Sequence, residues 1–282
     1  MKIPKFELSG ALMKGVVVAA ALAGLYYDTF AKLVEDWINL PDFSHGFLIP
    51  LVSGYLLYER RDRLSGLKPD GKWSGLIIVI MGLLILSLGK LAMEYFLMRV
   101  SLLIVLTGTV YFLLGRGYLK VTLFPIAFLV FMIPLPSILL DKITFPMQLI
   151  ASRFSAAALT LMGVPVLREG NIIELSNISL EVAVACSGLR SLISLLALSV
   201  IFSYLSQKKL WKRGVLVAST IPIAIAANVF RVAGTGLLAD HYGSSVAQGY
   251  FHEFSGWVLY MVAFGCFLST GRLLNRMGAR SV

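Results

Sequence analysis

A thiol, a guanidinium and an imidazole stand at or inside three separate apolar runs of this chain. Cys186 lies in Ala185-Cys186-Ser187-Gly188-Leu189-Arg190, where a polar stretch meets a long apolar one. Arg231 follows 45 residues later inside a second apolar run, and His252 opens a third after another 21. A thiol near a helix N-terminus is favoured as thiolate by the dipole and the free N–H groups there, and it falls below its free pKa of about 8.5. Arg190 is four residues on, on the same helix face. Ser187 and Gly188 let the backbone come close to a substrate carbonyl. Asn228 and Arg231, three apart, share a face, and the natural role of the pair is to hold a developing oxyanion, with Asn228 orienting the cation. His252 titrates near neutral pH, so it can take a thiol proton and return it to a leaving amine; Glu253 follows it directly. Together these groups predict acyl-transfer chemistry.

Each residue also has a plainer reading. A cysteine in apolar surroundings is commonly an inert core residue. Arg231 can snorkel to the interface, although a charge within a span costs about 2.5–3.5 kcal/mol on insertion scales. His252 can bond to water or lipid at the membrane surface. His241, beside Asp240, and His45 are alternative bases, and His45-Gly46 can instead close the start of a span or help to hold substrate. Cys266, deep in the last apolar run, reads as structural. The three His and two Cys show no metal-ligand spacing, so no metal or other cofactor is expected.

The elements that must position these groups are membrane helices. The chain of 282 residues is 58% apolar and only 14% charged, against about 25% charged in soluble domains. Its mean hydropathy is +0.83. Apolar blocks of about 15–24 residues match a bilayer core of about 30 Å, and the alternating segments of about 10 residues that barrel strands would show are absent, which argues against a barrel. The predicted architecture is all-α: a single polytopic domain over 1–282 with about eight spans, at 13–32, 46–58, 73–90, 97–114, 121–137, 185–205, 214–237 and 255–273. No clear cleavage site follows the first apolar run, so it reads as a retained span.

Seventeen of the 25 Lys and Arg fall in the N-terminal segment, 59–72, 115–120, 206–213 and the C-terminal tail. Eight spans put all five on the cytoplasmic side, both termini included. The net charge of +10 is thereby explained without nucleic acid. In segment 138–164, Asp141, Gln148, Ser152 and Ser155 recur at seven, four and three residues, a stripe that predicts an amphipathic helix on the outer membrane surface. The alternation in 168–175 predicts a short extended segment on the same side. Cys186, Arg231 and His252 then lie toward the outer face.

Three stretches resemble one family. Leu180-Glu181-Val182-Ala183-Val184-Ala185-Cys186-Ser187-Gly188-Leu189-Arg190-Ser191 is similar to the nucleophile motif of the exosortase/archaeosortase family. Ala227-Asn228-Val229-Phe230-Arg231-Val232 resembles its Asn-x-x-Arg motif, and Phe251-His252-Glu253-Phe254-Ser255-Gly256-Trp257 its third, where His marks exosortases and Arg archaeosortases. Phe43-Ser44-His45-Gly46 and Arg168-Glu169-Gly170-Asn171 also look family-like. Val184 departs from the pattern, since many members carry Glu there. The resemblance implies a cysteine protease or transpeptidase of the bacterial inner membrane, with its active site facing the periplasm. The implied partners are membrane lipids and exported proteins with a C-terminal sorting signal: a Pro-Glu-Pro-type motif, a transmembrane helix and a basic tail. It also implies a setting of exopolysaccharide production. Two other classes compete: a transporter or flippase, with Arg231, Asn228 and Pro222 lining a path, and a scaffold for exopolysaccharide export. Neither needs a reactive thiol, and a transporter would be expected to show internal repeats, which are absent.

Overall fold

A computed structural model of the chain describes residues 5–176, 179–182, 189–243 and 250–279. It is mostly helical and divides into two compact units, 1–134 and 135–282.

The first unit opens with α1 (Lys5–Leu25) and α2 (Tyr27–Asn39), and the predicted first span, 13–32, runs across the junction between them. They are bent by 66° at Tyr26. At the bend Tyr26 is fully buried, and its hydroxyl is 3.0 Å from that of Ser101 on a later helix. A 3₁₀ turn over Pro41–Phe47 leads into α3 (Leu48–Glu59) and the short α4 (Arg61–Ser65). The helices α5 (Ser74–Leu91) and α6 (Tyr95–Leu114) form an antiparallel hairpin. Its seam is a row of glycines on α5 at seven-residue spacing. A Cβ on Gly75 would lie 2.3 Å from the Phe112 backbone nitrogen, and one on Gly82 2.6 Å from the Val105 side chain. The opposite face of α5 exposes Ile77, Leu84 and Leu88, as expected of a helix turned to hydrocarbon. The unit ends with α7 (Arg116–Phe128) and a 3₁₀ turn, Leu129–Met132.

One end of this unit gathers two of the basic segments. Arg60 donates to the Val121 carbonyl (2.8 Å), the Tyr118 hydroxyl donates to that of Leu67 (3.1 Å), and Asp70 N–H donates to that of Leu114 (3.1 Å). Segment 59–72 is therefore laid against 111–121, where the positive-inside pattern requires the two to share a side.

The second unit consists of α8 (Ser137–Leu161), a small antiparallel sheet, and α9 (Leu189–Ser206), α10 (Leu210–Tyr242) and α11 (Tyr250–Ala279). Strands β1 (Val166–Glu169), β2 (Ile172–Leu175) and β3 (Ser179–Glu181) pair in chain order, with Arg168 opposite Ile173 and Ile173 opposite Leu180. The predicted extended segment is thus two strands of a three-stranded sheet. The helix α10 packs against α8, α9 and α11. At about 50 Å it is longer than the bilayer core is thick. Here too a basic segment meets its counterpart: Lys212 Nζ donates to the Leu274 carbonyl (2.5 Å), and Gln207 Nε2 to that of Gly271 (3.4 Å).

The stripe on α8 requires a correction. The expected surface helix turns it to water, yet Gln148, Ser152 and Ser155 are buried and only Asp141 is exposed. Phe145, Phe154 and Leu161 face outward instead. The reason lies in acceptors. The Ser152 hydroxyl donates to the Gly170 carbonyl (2.8 Å) and that of Ser155 to the Val229 carbonyl (3.2 Å), so these groups are satisfied by the protein.

Three described helices, α5, α6 and α10, are each long and apolar enough to cross a membrane, and the number reaches five if two broken pairs, α1 with α2 and 116–132 with α8, each form one span. Helices also occupy the other predicted span positions. The protein is a multi-pass membrane protein.

Candidate active site

The second unit holds the central candidates. Arg231 sits on α10 five residues past its middle, half-buried, and its Nη2 donates to Asn228 Oδ1 at 2.8 Å. The i, i+3 spacing makes this contact, as the sequence predicts. Asn228 is only 5% exposed. It belongs to a buried stripe on α10 that repeats every four residues: Leu216, Thr220, Ala224, Asn228, Val232 and Gly236.

The neighbours of Asn228 on that stripe enter two different cores. Ala224 shares a core with Leu195 of α9 and Ala263 of α11. Val232 shares another with Leu159 of α8, Ile173 and Leu175 of β2, and Val182. Val182 precedes the Cys186 segment and Leu195 follows it. Both flanks of the predicted nucleophile are thereby packed into cores that meet α10 one turn to either side of Asn228, about 6 Å away.

The upstream flank is held firmly. Val182 is fully buried; its N–H donates to the Asn171 carbonyl (2.9 Å), and Asn171 Nδ2 donates back to the Val182 carbonyl over a long 3.4 Å. Gly170, at the turn between β1 and β2, has φ +62°, a conformation suited to glycine. Its carbonyl accepts from Ser152 (2.8 Å) and from Arg168 (2.6 Å). This gives Arg168, Gly170 and Asn171 a physical job: they tie the sheet to α8 and fix where the chain leaves for Cys186. The sequence reading missed that job and the matching one of Ser152, though the polar spacing on α8 was their signal.

Cys186, Ser187 and Gly188 lie outside the described residues. Arg190 falls in the first turn of α9, and His252 and Glu253 fall in the first turn of α11, all without a described side chain. Cys266 is exposed on α11 rather than packed in a core. His241 is exposed as well, and its Nδ1 lies 3.1 Å from the carbonyl of Leu237 in its own helix.

His45 belongs to the first unit. Burial pushes its imidazole below the ordinary range, while hydrogen bonds with the backbone of Phe131 and Asp42 pull it back up. Next to it, a Cβ on Gly46 would lie 2.2 Å from Trp37 Nε1. That indole nitrogen donates to the Met132 carbonyl at 2.8 Å.

A further pair was not foreseen. Arg99 on α6 is 2% exposed, and its Nη2 lies 2.5 Å from Asp36 Oδ2 on α2. Removing Asp36 would leave the buried Arg99 guanidinium uncompensated, whereas Asp36 is partly exposed and also lies 3.7 Å from Lys32 Nζ.

Among known proteins, the family model described as Transmembrane exosortase (Exosortase_EpsH) matches residues 37–269. No curated protein and no solved structure matches the chain.

Proposed function

The chain belongs to the transmembrane exosortase family, whose members process sorting signals, and from that premise we propose that it is a membrane cysteine protease or transpeptidase that cleaves the C-terminal sorting signal of exported proteins. The carrying observation is the Asn228–Arg231 pair: a half-buried guanidinium held at 2.8 Å by a buried amide, on the helix into whose cores both flanks of Cys186 pack.

The substrate's C-terminal helix docks beside the spans that bear Cys186 and Arg231, which brings its signal motif to the outer interface. His252 takes the proton of the Cys186 thiol, and the thiolate adds to the scissile carbonyl. Arg231 stabilises the tetrahedral oxyanion; one such donor is typically worth about 2.7–4 kcal/mol. The C–N bond then breaks, the amine leaves with the proton from His252, and a thioester remains on Cys186. An amine or water resolves it, giving transfer or hydrolysis. Arg190 supports the thiolate from the same helix, Ser187 and Gly188 admit the substrate backbone, and Glu253 adjoins the base. His45 supports its own unit. No cofactor enters any step.

The test is co-expression with a tagged protein ending in a Pro-Glu-Pro-type motif, a transmembrane helix and a basic tail. Mass measurement of the new C-terminus distinguishes hydrolysis from transfer. Cys186→Ala should abolish cleavage and keep the uncleaved reporter bound; continued processing by that variant would refute the nucleophile assignment.

A further inference from the structure

Asn228 has an amide with two ends, and only one of them is used. Its oxygen accepts from Arg231 Nη2 at 2.8 Å. A guanidinium carries donors and no acceptor, so this contact fixes the amide: oxygen toward Arg231, NH2 away from it. The Nδ2 group is buried, and among the described residues it has no hydrogen-bond partner. Buried donors in folded proteins are nearly always paired, and one left open calls for an explanation.

Its position supplies one. Asn228 stands between the core that holds Leu195 and the core that holds Val182, the two flanks of the Cys186 segment. Among the described residues this buried NH2 lacks an acceptor oxygen, and a donor one amide's width from a guanidinium suits an oxygen on which negative charge develops. Low local dielectric strengthens both contacts. The carbonyl of a peptide under attack by a thiolate is such an oxygen.

We propose that Asn228 donates its Nδ2–H directly to the scissile carbonyl oxygen, as a second oxyanion donor beside Arg231 and not only as the group that orients it. This rests on the thiol-protease reading of Cys186. Asn228 then joins the catalytic residues, since it touches the reacting atom.

The full chain and the tagged sorting-signal reporter test it with two substitutions. Asn228→Ala removes both ends of the amide. Asn228→Asp is isosteric, keeps an acceptor for Arg231 and removes the donor. Both variants should cleave about 10²–10³-fold more slowly, the usual loss for one oxyanion donor, while uncleaved reporter still co-purifies with them. Cleavage at the unaltered rate by Asn228→Asp would mean that orienting Arg231 is the whole role and would overturn the proposal. So would loss of reporter capture together with cleavage in both variants, which would assign the amide to packing. Cleavage retained in Cys186→Ala would remove the underlying reading, and this proposal with it.

Discussion

Arg231 is costly where it stands, and its geometry bears on which property of arginine the proposed chemistry would need. A charge within a span costs about 2.5–3.5 kcal/mol on insertion scales. A cation that served only to reach the interface would have no need of a buried amide, yet Nη2 is held at 2.8 Å by Asn228. One edge of the planar fork is thereby committed to Asn228, which sets the direction of the rest. Arg231→Lys keeps the charge but has no fork to be set by the amide. We expect cleavage of the reporter to fall about 10²-fold, the lower range for loss of an oxyanion donor, with reporter capture unchanged. Full activity in that variant would mean that a point charge suffices. The pair was legible in the sequence because i, i+3 spacing on a helix needs no tertiary knowledge. Arg99 and Asp36 were not, since 63 residues separate them and only the packing of α2 against α6 joins them. The Nδ2 of Asn228, unpaired among the described residues, was invisible for the same reason: burial is a property of the packed state.

Close approach between elements accounts for several small residues whose types alone say little. Gly46 sits under the ring of Trp37, whose Nε1–H is committed to the Met132 carbonyl at 2.8 Å. The indole is 7% exposed, so it has little room to move. Gly46→Ala should therefore displace the ring, break that bond and destabilise the protein by about 1–3 kcal/mol, as overpacking usually does. Gly54→Ala is the control: nothing lies within 4 Å of a Cβ there, on the same stretch of chain. Thermal unfolding in detergent should separate the two, with Gly54→Ala at or above the unaltered chain. Equal midpoints for both variants would show that the Trp37 contact relaxes freely. At this scale the sequence located the helices well, because long apolar blocks have few other options. It erred on the direction of α8. Hydropathy counts a serine as polar, and only the fold reveals that the acceptors for Ser152 and Ser155 are the carbonyls of Gly170 and Val229, inside the protein.

Across the whole molecule, orientation rests on where the basic segments gather. Within the first unit, 59–72 lies against 111–121, and within the second, Gln207 and Lys212 lie against the carbonyls of Gly271 and Leu274. Each unit therefore has one basic end. The positive-inside rule makes both ends cytoplasmic if an even number of crossings separates 59–72 from 206–213, and an odd number places them on opposite sides. Eight spans satisfy this; a ninth within 138–164 does not. The inverted polarity of α8 sharpens the question, since a helix with apolar residues outward is suited to a lipid neighbour in either arrangement. Single cysteines decide it in a background of Cys186→Ala and Cys266→Ser. Asp70→Cys and Lys208→Cys report on the two basic ends, and Glu169→Cys reports on the exposed hairpin that precedes Cys186. A membrane-impermeant maleimide on intact cells should label only Glu169→Cys, and permeabilised cells should add the other two. Labelling of Lys208→Cys but not Asp70→Cys in intact cells would demand the ninth crossing and would carry the Cys186 segment to the cytoplasmic side. An exported substrate could not meet it there, so the topology and the proposed activity stand or fall on the same label.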